Sequence, residues 1–203
     1  FKSIVVTGTN GKSTTCKILE HVLKKNKYKT LLGGNIGTPI LSLNIKKNNF
    51  LIIEASSFQL AHSKFICPDY AILLNISNDH IDWHGNKKNY ISSKFKIFAN
   101  QASKQYSILN INLKKYLNKK LISKVIIPKI ENFKKLKEKI NNPYLKSDIN
   151  NENMMFVLSL CKLLKIKEKS LIKSLETFVG LPHRHEIFLK KGNCTFINDS
   201  KAT

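Results

Sequence analysis

Thr7-Gly8-Thr9-Asn10-Gly11-Lys12-Ser13-Thr14 carries the most specific chemistry in this sequence. The run follows the apolar stretch Ile4-Val5-Val6 and opens an amphipathic pattern, so backbone N–H groups and the positive end of a helix dipole converge on one point. A nucleotide phosphate suits that point. Gly8 and Gly11 let the backbone approach an anion, Lys12 supplies a point charge to the outer phosphates, and Ser13 or Thr14 offers a hydroxyl to Mg²⁺. Thr9, Asn10 and Thr15 complete the candidate nucleotide contacts. The spacing G-x-x-x-x-G-K-S/T would need glycine at position 6, where valine stands, so a shorter loop is implied. A Gly-Asn turn with a capping serine would explain the glycines, but not Lys12-Ser13-Thr14 together at a helix start.

Other reactive groups stand just past apolar runs, where α/β proteins gather ligands at the carboxyl ends of strands. Glu54 ends Phe50-Leu51-Ile52-Ile53 and can reach a Mg²⁺ that bridges phosphates, or it faces solvent. Asn78-Asp79-His80 follow a second run; taken alone, His80 beside acidic neighbours more often makes a hydrogen-bonded turn than a metal site. Asn35, within Gly33-Gly34-Asn35-Ile36-Gly37, either bonds a substrate or sustains a left-handed turn. A helix expected over 88–99 presents Ile91, Phe95 and Phe98 as its apolar face. Lys94 then lies about 60° from Ile91 and is partly enclosed, with a stem-buried, snorkelling lysine as the alternative, while Lys96 points roughly the opposite way. Asn150 and Asn153 suit a helix N-cap. Arg184 is the only arginine in the chain, and its isolation marks it as functional.

The elements that must position these groups alternate strand and helix over the first two-thirds, the βαβ signature of a mostly parallel sheet with flanking helices. Strands are expected at 3–7, 30–32, 50–54, 70–76, 106–110 and 124–127, and helices at 12–25 and 88–99, then at 150–164 and 167–178. Gly180-Leu181-Pro182 breaks the chain and sets a boundary between residues 1–180 and 181–203. Two short strands at 186–189 and 195–197 follow, too little to form a domain alone. The chain opens at Phe1 without an initiator Met and closes just after the polar cluster at 198–201, so both ends read as cut and the piece alone is expected to be inactive.

With these blocks in order, the sequence resembles the Mur ligase family. T-G-T-N-G-K-S-T looks like that family's ATP loop, which folylpolyglutamate synthase shares. G-G-N-I-G at 33–37, E-A-S-S-F-Q-L at 54–60, N-D-H-I-D at 78–82, L-P-H-R-H-E at 181–186 and N-D-S-K-A-T at 198–203 point to the member that adds D-glutamate to UDP-N-acetylmuramoyl-L-alanine rather than to a sister ligase. The resemblance implies a P-loop-type central ATP-binding domain in residues 1–180, the start of a C-terminal domain in 181–203, and an ADP-forming ligation through an acyl phosphate. It assigns catalysis to Lys12, Glu54, His80 and Lys94. It assigns magnesium, in two sites, to Ser13, Glu54, His80 and Lys94 carbamylated within Y-x-x-x-K. Asn150 and Asn153 would meet adenine, although Ile149 replaces the usual His, and Arg184 the ATP phosphates or ribose. Asp199 and Lys201 would meet nucleotide, and Asn35, Ser56, Asp79 and Thr203 the substrates. Asn78 stands where an acidic residue is common. A helix cap is the plainer reading of 198–203.

Composition narrows the remaining classes. The net charge of +22 invites a nucleic-acid reading, yet the 35 basic residues are lysines except Arg184 and are spread along the chain, so specific nucleic-acid binding is not expected. No apolar stretch approaches the roughly 20 residues of a membrane helix. Cys16, Cys67, Cys161 and Cys194 lie far apart with no C-x-x-C pair, and are expected to be reduced and mostly buried in a monomeric cytoplasmic protein.

Overall fold

The computed structural model describes residues 1–117 and 120–201; Thr203 therefore lies outside the described residues. In chain order the elements are β1 (Lys2–Thr7), α1 (Lys12–Lys25), β2 (Thr30–Gly34), β3 (Phe50–Glu54), α2 (Ser57–His62), β4 (Tyr70–Leu73), α3 (Ile81–His84), α4 (Lys87–Phe95), β5 (Tyr106–Leu109), β6 (Lys124–Ile126), α5 (Ile130–Lys137), α6 (Pro143–Lys146), α7 (Asn151–Leu163), α8 (Glu168–Glu176), β7 (Glu186–Lys191) and β8 (Cys194–Asn198). β1 to β6 form one parallel sheet in the order β2-β3-β1-β4-β5-β6.

Alternation along each strand feeds a core on both faces, as a helix-covered parallel sheet requires. Ile4 and Val6 join Ile18, Leu19, Val22, Phe156 and Leu175 on one face, whereas Val5 joins Leu60, Ala71, Leu73 and Leu109 on the other. Because β3 and β4 flank β1 on opposite sides, the chain reverses its winding there, and a crevice opens at the carboxyl ends. Register places Glu54 beside Val6 and Leu73 beside Thr7, so the glycine-rich loop emerges between the ends of β3 and β4.

Several expectations are corrected in detail. β4 stops at Leu73 instead of 76, since Leu74 bonds back to Thr7 and the Asn75 carbonyl accepts from Thr9 N. β5 stops at Leu109, because Asn110 turns the chain by accepting Asn112 N. The helix expected over 88–99 ends as an α-helix at Phe95 and tightens to a 3₁₀ turn at Lys96–Phe98. Its most buried face is not Ile91 and Phe95, which are half-buried, but Tyr90, Ser93 and Lys94, because that side packs on the phosphate loop. Lys96 does not point freely outward; its Nζ donates to Ala61 O. Only Cys16 and Cys161 are buried, whereas Cys67 and Cys194 are exposed. The expected strands at 186–189 and 195–197 form one longer antiparallel hairpin.

Candidate functional site

Gly11 caps α1 with φ 80, a left-handed conformation, and no side chain caps the helix start. The capping-serine alternative therefore fails: Ser13 and Thr14 are buried in the first turn without that role, and no side chain takes the place an anion would occupy at the helix start. A Cβ on Gly11 would sit 2.1 Å from Asn153 Oδ1, so glycine is required here by space as well as by backbone conformation. Thr9 is an internal brace. Its Oγ1 shares a hydrogen bond with Tyr90 OH at 2.8 Å and accepts Ser77 N at 3.0 Å. Thr15 Oγ1, also buried, donates to Asn153 Oδ1 at 3.3 Å.

Two lysines meet at one carbonyl. Lys12 Nζ donates to Gly8 O at 3.0 Å and Thr9 O at 2.6 Å, and Lys94 Nζ donates to Gly8 O at 2.8 Å. Lys94 is 2% exposed, so it does not snorkel to water. Burial brings its pKa down to about 7, reinforced by the charge on Lys12 and opposed by Asp79. Burial also lowers Lys12, against the pull of Glu54 and Asp79.

Lys12, Lys94, Asn35, Ser56, Asp79 and His80 share a cavity of about 120 Å³, together with Ser57, Phe58 and Tyr90. Asn35 Nδ2 donates to Glu54 Oε1 at 2.8 Å. Glu54 is 2% exposed, so it does not face solvent, and its Oε2 has no hydrogen-bond partner among the described residues; neither has the buried Thr7 Oγ1. A buried oxygen without a donor, at the root of a phosphate loop, fits a hard cation held by few protein ligands and by phosphate. Among the described residues no three His, Cys, Asp or Glu side chains cluster in ligand geometry, so the other oxygens would come from hydroxyls, nucleotide and water. His80 caps α3 at φ 51, with Nε2 3.3 Å from Asp79 Oδ2. Ser56 caps α2 in a reciprocal capping box with Gln59, which occupies its hydroxyl.

On the other side of the loop lies a cleft of about 270 Å³. It brings together the sequence-flagged Asn10, Gly11, Thr14, Asn150, Asn153, Arg184 and Asp199, which are up to 189 residues apart in the chain. Asn150 stands at the N-cap of α7 as expected, but its side chain makes no cap bond; its Nδ2 donates to Tyr144 O and its Oδ1 accepts from Asn153 Nδ2 at 3.1 Å. Asp199 Oδ1 accepts His185 N at 2.9 Å, which fixes the hairpin end against the cleft. Lys201 is exposed outside this lining, with its N–H on His183 O. Sequence reasoning missed Asn75, Tyr144, Glu152 and His185 in the cleft, and His84 behind the smaller cavity, where its Nε2 lies 3.0 Å from Ser57 Oγ. Asn75 was the one accessible to inspection, as the first polar residue after five buried ones, Tyr70 to Leu74.

A parallel α/β sheet with a phosphate loop at its winding reversal defines a nucleotide-binding domain. The family described as Mur ligase middle domain matches residues 6–174, and this chain belongs to the Mur ligase family. Proteins named UDP-N-acetylmuramoylalanine--D-glutamate ligase from Pseudothermotoga lettingae and Rickettsia bellii are 33% and 34% identical over 98% of the chain. The matches cover 48% and 50% of those proteins, so the chain spans about half the length of the curated relatives it matches. MurF from Thermotoga maritima, solved in complex with ADP, superposes with TM-score 0.72 at 20% identity, over 98% of this chain and 53% of that one. MurF from Acinetobacter baumannii gives 0.73 at 17% identity, over 98% and 50%. These two likenesses establish the fold.

Proposed function

We propose that this chain is the ATP-binding core of a cytoplasmic ligase that joins D-glutamate to UDP-N-acetylmuramoyl-L-alanine in peptidoglycan precursor synthesis. Residues 1–180 serve as the central domain, and 181–203 begin a C-terminal one; the family match within 6–174 and the left-handed Gly180 support that division. The observation that carries the reading is that Lys12 and Lys94 both donate to the Gly8 carbonyl, in the loop that opens the uncapped α1, while the buried Glu54 Oε2 at the end of the neighbouring strand has no partner among the described residues. The choice of D-glutamate rests on the names of the relatives.

In this reading the substrate carboxylate attacks the γ-phosphorus of ATP, ADP leaves, and an acyl phosphate forms. The amine of D-glutamate then adds to the acyl carbonyl, and inorganic phosphate departs as the amide closes. Lys12 and the first-turn amides of α1 hold the charge that develops on the phosphoryl oxygens. Glu54, Ser13, His80 and a carbamylated Lys94 would hold magnesium, which supplies charge neutralisation when bound. A pKa near 7 leaves Lys94 with the neutral amine that reacts with carbon dioxide. Arg184, Asp199, Asn150 and Asn153 line the nucleotide cleft, and Lys201 and Thr203 are assigned to nucleotide and glutamate on the family pattern. Asn35, Ser56 and Asp79, which line the smaller cavity, are assigned to substrate on the family pattern.

Phosphate release by the full-length protein, assayed with each amino acid and acyl acceptor in turn, tests the assignment. Turnover is expected with D-glutamate and UDP-N-acetylmuramoyl-L-alanine together with Mg²⁺. Turnover with a diamino acid in place of D-glutamate would overturn the substrate.

A further inference from the structure

Asn75 and Glu152 are 77 residues apart and belong to none of the sequence blocks above, yet together they hold the phosphate loop. Asn75 Oδ1 accepts Thr9 N at 3.1 Å and Asn10 N at 2.9 Å, while its Nδ2 donates to Asn10 O at 3.3 Å and to Glu152 Oε2 at 2.6 Å. The other oxygen, Glu152 Oε1, accepts Asn110 Nδ2 at 3.0 Å. One carboxylate in the first turn of α7 thus ties the ends of β4 and β5 to the loop.

The chemistry of this position admits few residues. Glu152 stands between two amide donors, and each amide has its oxygen already committed: Asn75 to the loop, Asn110 to Asn112 N. Neither amide can turn its oxygen toward residue 152 without abandoning those backbone groups. Only an acceptor-only side chain satisfies both donors, and glutamine would present its NH₂ to one of them. A charged acceptor also makes the stronger bond, in keeping with the short contact to Asn75.

We infer that Glu152 is a positioning residue that acts through Asn75. It fixes the Asn75 rotamer, Asn75 secures the Thr9 and Asn10 amides, and the loop is shaped for the polyphosphate before nucleotide arrives. This rests on the nucleotide reading above. Because Glu152 also lines the cleft, a direct contact with base or ribose is the competing role.

Calorimetric titration of the full-length protein with Mg-ADP and, separately, with adenosine distinguishes the two. Glu152→Gln is expected to weaken Mg-ADP about tenfold, the loss of one charge-assisted hydrogen bond, with adenosine binding unchanged. Asn75→Ala should cost at least as much, and the double variant no more than Asn75→Ala alone, as for two residues in one chain of contacts. Asn110→Ala added to Glu152→Gln removes the donor conflict and should restore Mg-ADP affinity to within about threefold of wild type. Equal weakening of adenosine, multiplicative losses, no rescue by Asn110→Ala, or wild-type affinity in Glu152→Gln would each overturn the relay. Wild-type protein that takes up adenosine but not Mg-ADP would instead sink the phosphate-loop reading on which the relay depends.

Discussion

On one side of the phosphate loop lies a 120 Å³ cavity in which Lys12 and Lys94 stand beside Asp79 and His80; on the other lies a 270 Å³ cleft in which asparagine amides and Tyr144 stand beside Glu152, Arg184, His185 and Asp199. Both sit at the same edge of the same sheet. The cavity sets the charge state of its groups by burial and proximity, as the lowering of Lys12 and Lys94 attests. The cleft sets shape instead, because Asn150 and Asn153 bond to each other and to Tyr144 and Thr15. Substitutions on the two sides should therefore fail differently: rate and pH dependence around the paired lysines of the cavity, nucleotide affinity in the cleft.

The largest break in that contrast is expected from Lys12→Ala, which removes the charge that the proposed function sets against the transferred phosphoryl group. Steady-state phosphate release should fall about 10²–10³-fold, the scale for loss of one preorganised transition-state donor. A smaller fall in kcat than in nucleotide affinity would move Lys12 to the shape side. Next comes Gly11→Ala, where a methyl must displace Asn153 in a left-handed backbone; a loss of about 1–3 kcal/mol in urea unfolding is expected, with weaker Mg-ADP binding. Arg184→Lys keeps the charge but not the planar fork, so Mg-ADP should bind about tenfold more weakly in titration, with melting temperature unchanged.

The pH dependence of Lys94 sharpens the cavity's half of the comparison. Its folded pKa of about 7 lies below the ordinary 10.5, so the folded protein binds fewer protons than the unfolded chain between those values. The stability of wild type relative to Lys94→Met should then rise with pH from 7 toward 10.5, and lie lowest below 7, where the buried ammonium carries its full desolvation cost. Urea unfolding at a series of pH values, with bicarbonate excluded to keep the amine free, measures this; a flat difference would refute it. The smallest effect belongs to Ser56→Ala, which removes half of a capping box and should cost about 1 kcal/mol in the same assay.

Local signals made much of this legible. Apolar runs set all six strands of the sheet, and Gly8, Gly11 and Lys12 announced the loop, because strand alternation and phosphate-loop geometry are written in neighbouring residues. The face of α4 is legible only in part. Its period correctly encloses Lys94, yet it sets Ile91 and Phe95 at the centre of the buried face, where Tyr90 and Lys94 go deepest, drawn by Thr9 and Gly8 from 81 and 86 positions away. Glu152 was invisible on the same ground: an acidic residue in a first helical turn is ordinary complementing of the helix dipole until Asn75 and Asn110 are seen to converge on it. Partners set by tertiary closure leave no mark on sequence spacing.

The Gly8 carbonyl, which accepts from the side-chain nitrogens of two lysines at once, gives the loop a reserve. When Lys12 turns away toward an arriving anion, that oxygen keeps Lys94 as its donor and is never stripped bare inside the protein. Lys12 can thus change partners while the peptide beneath it stays still.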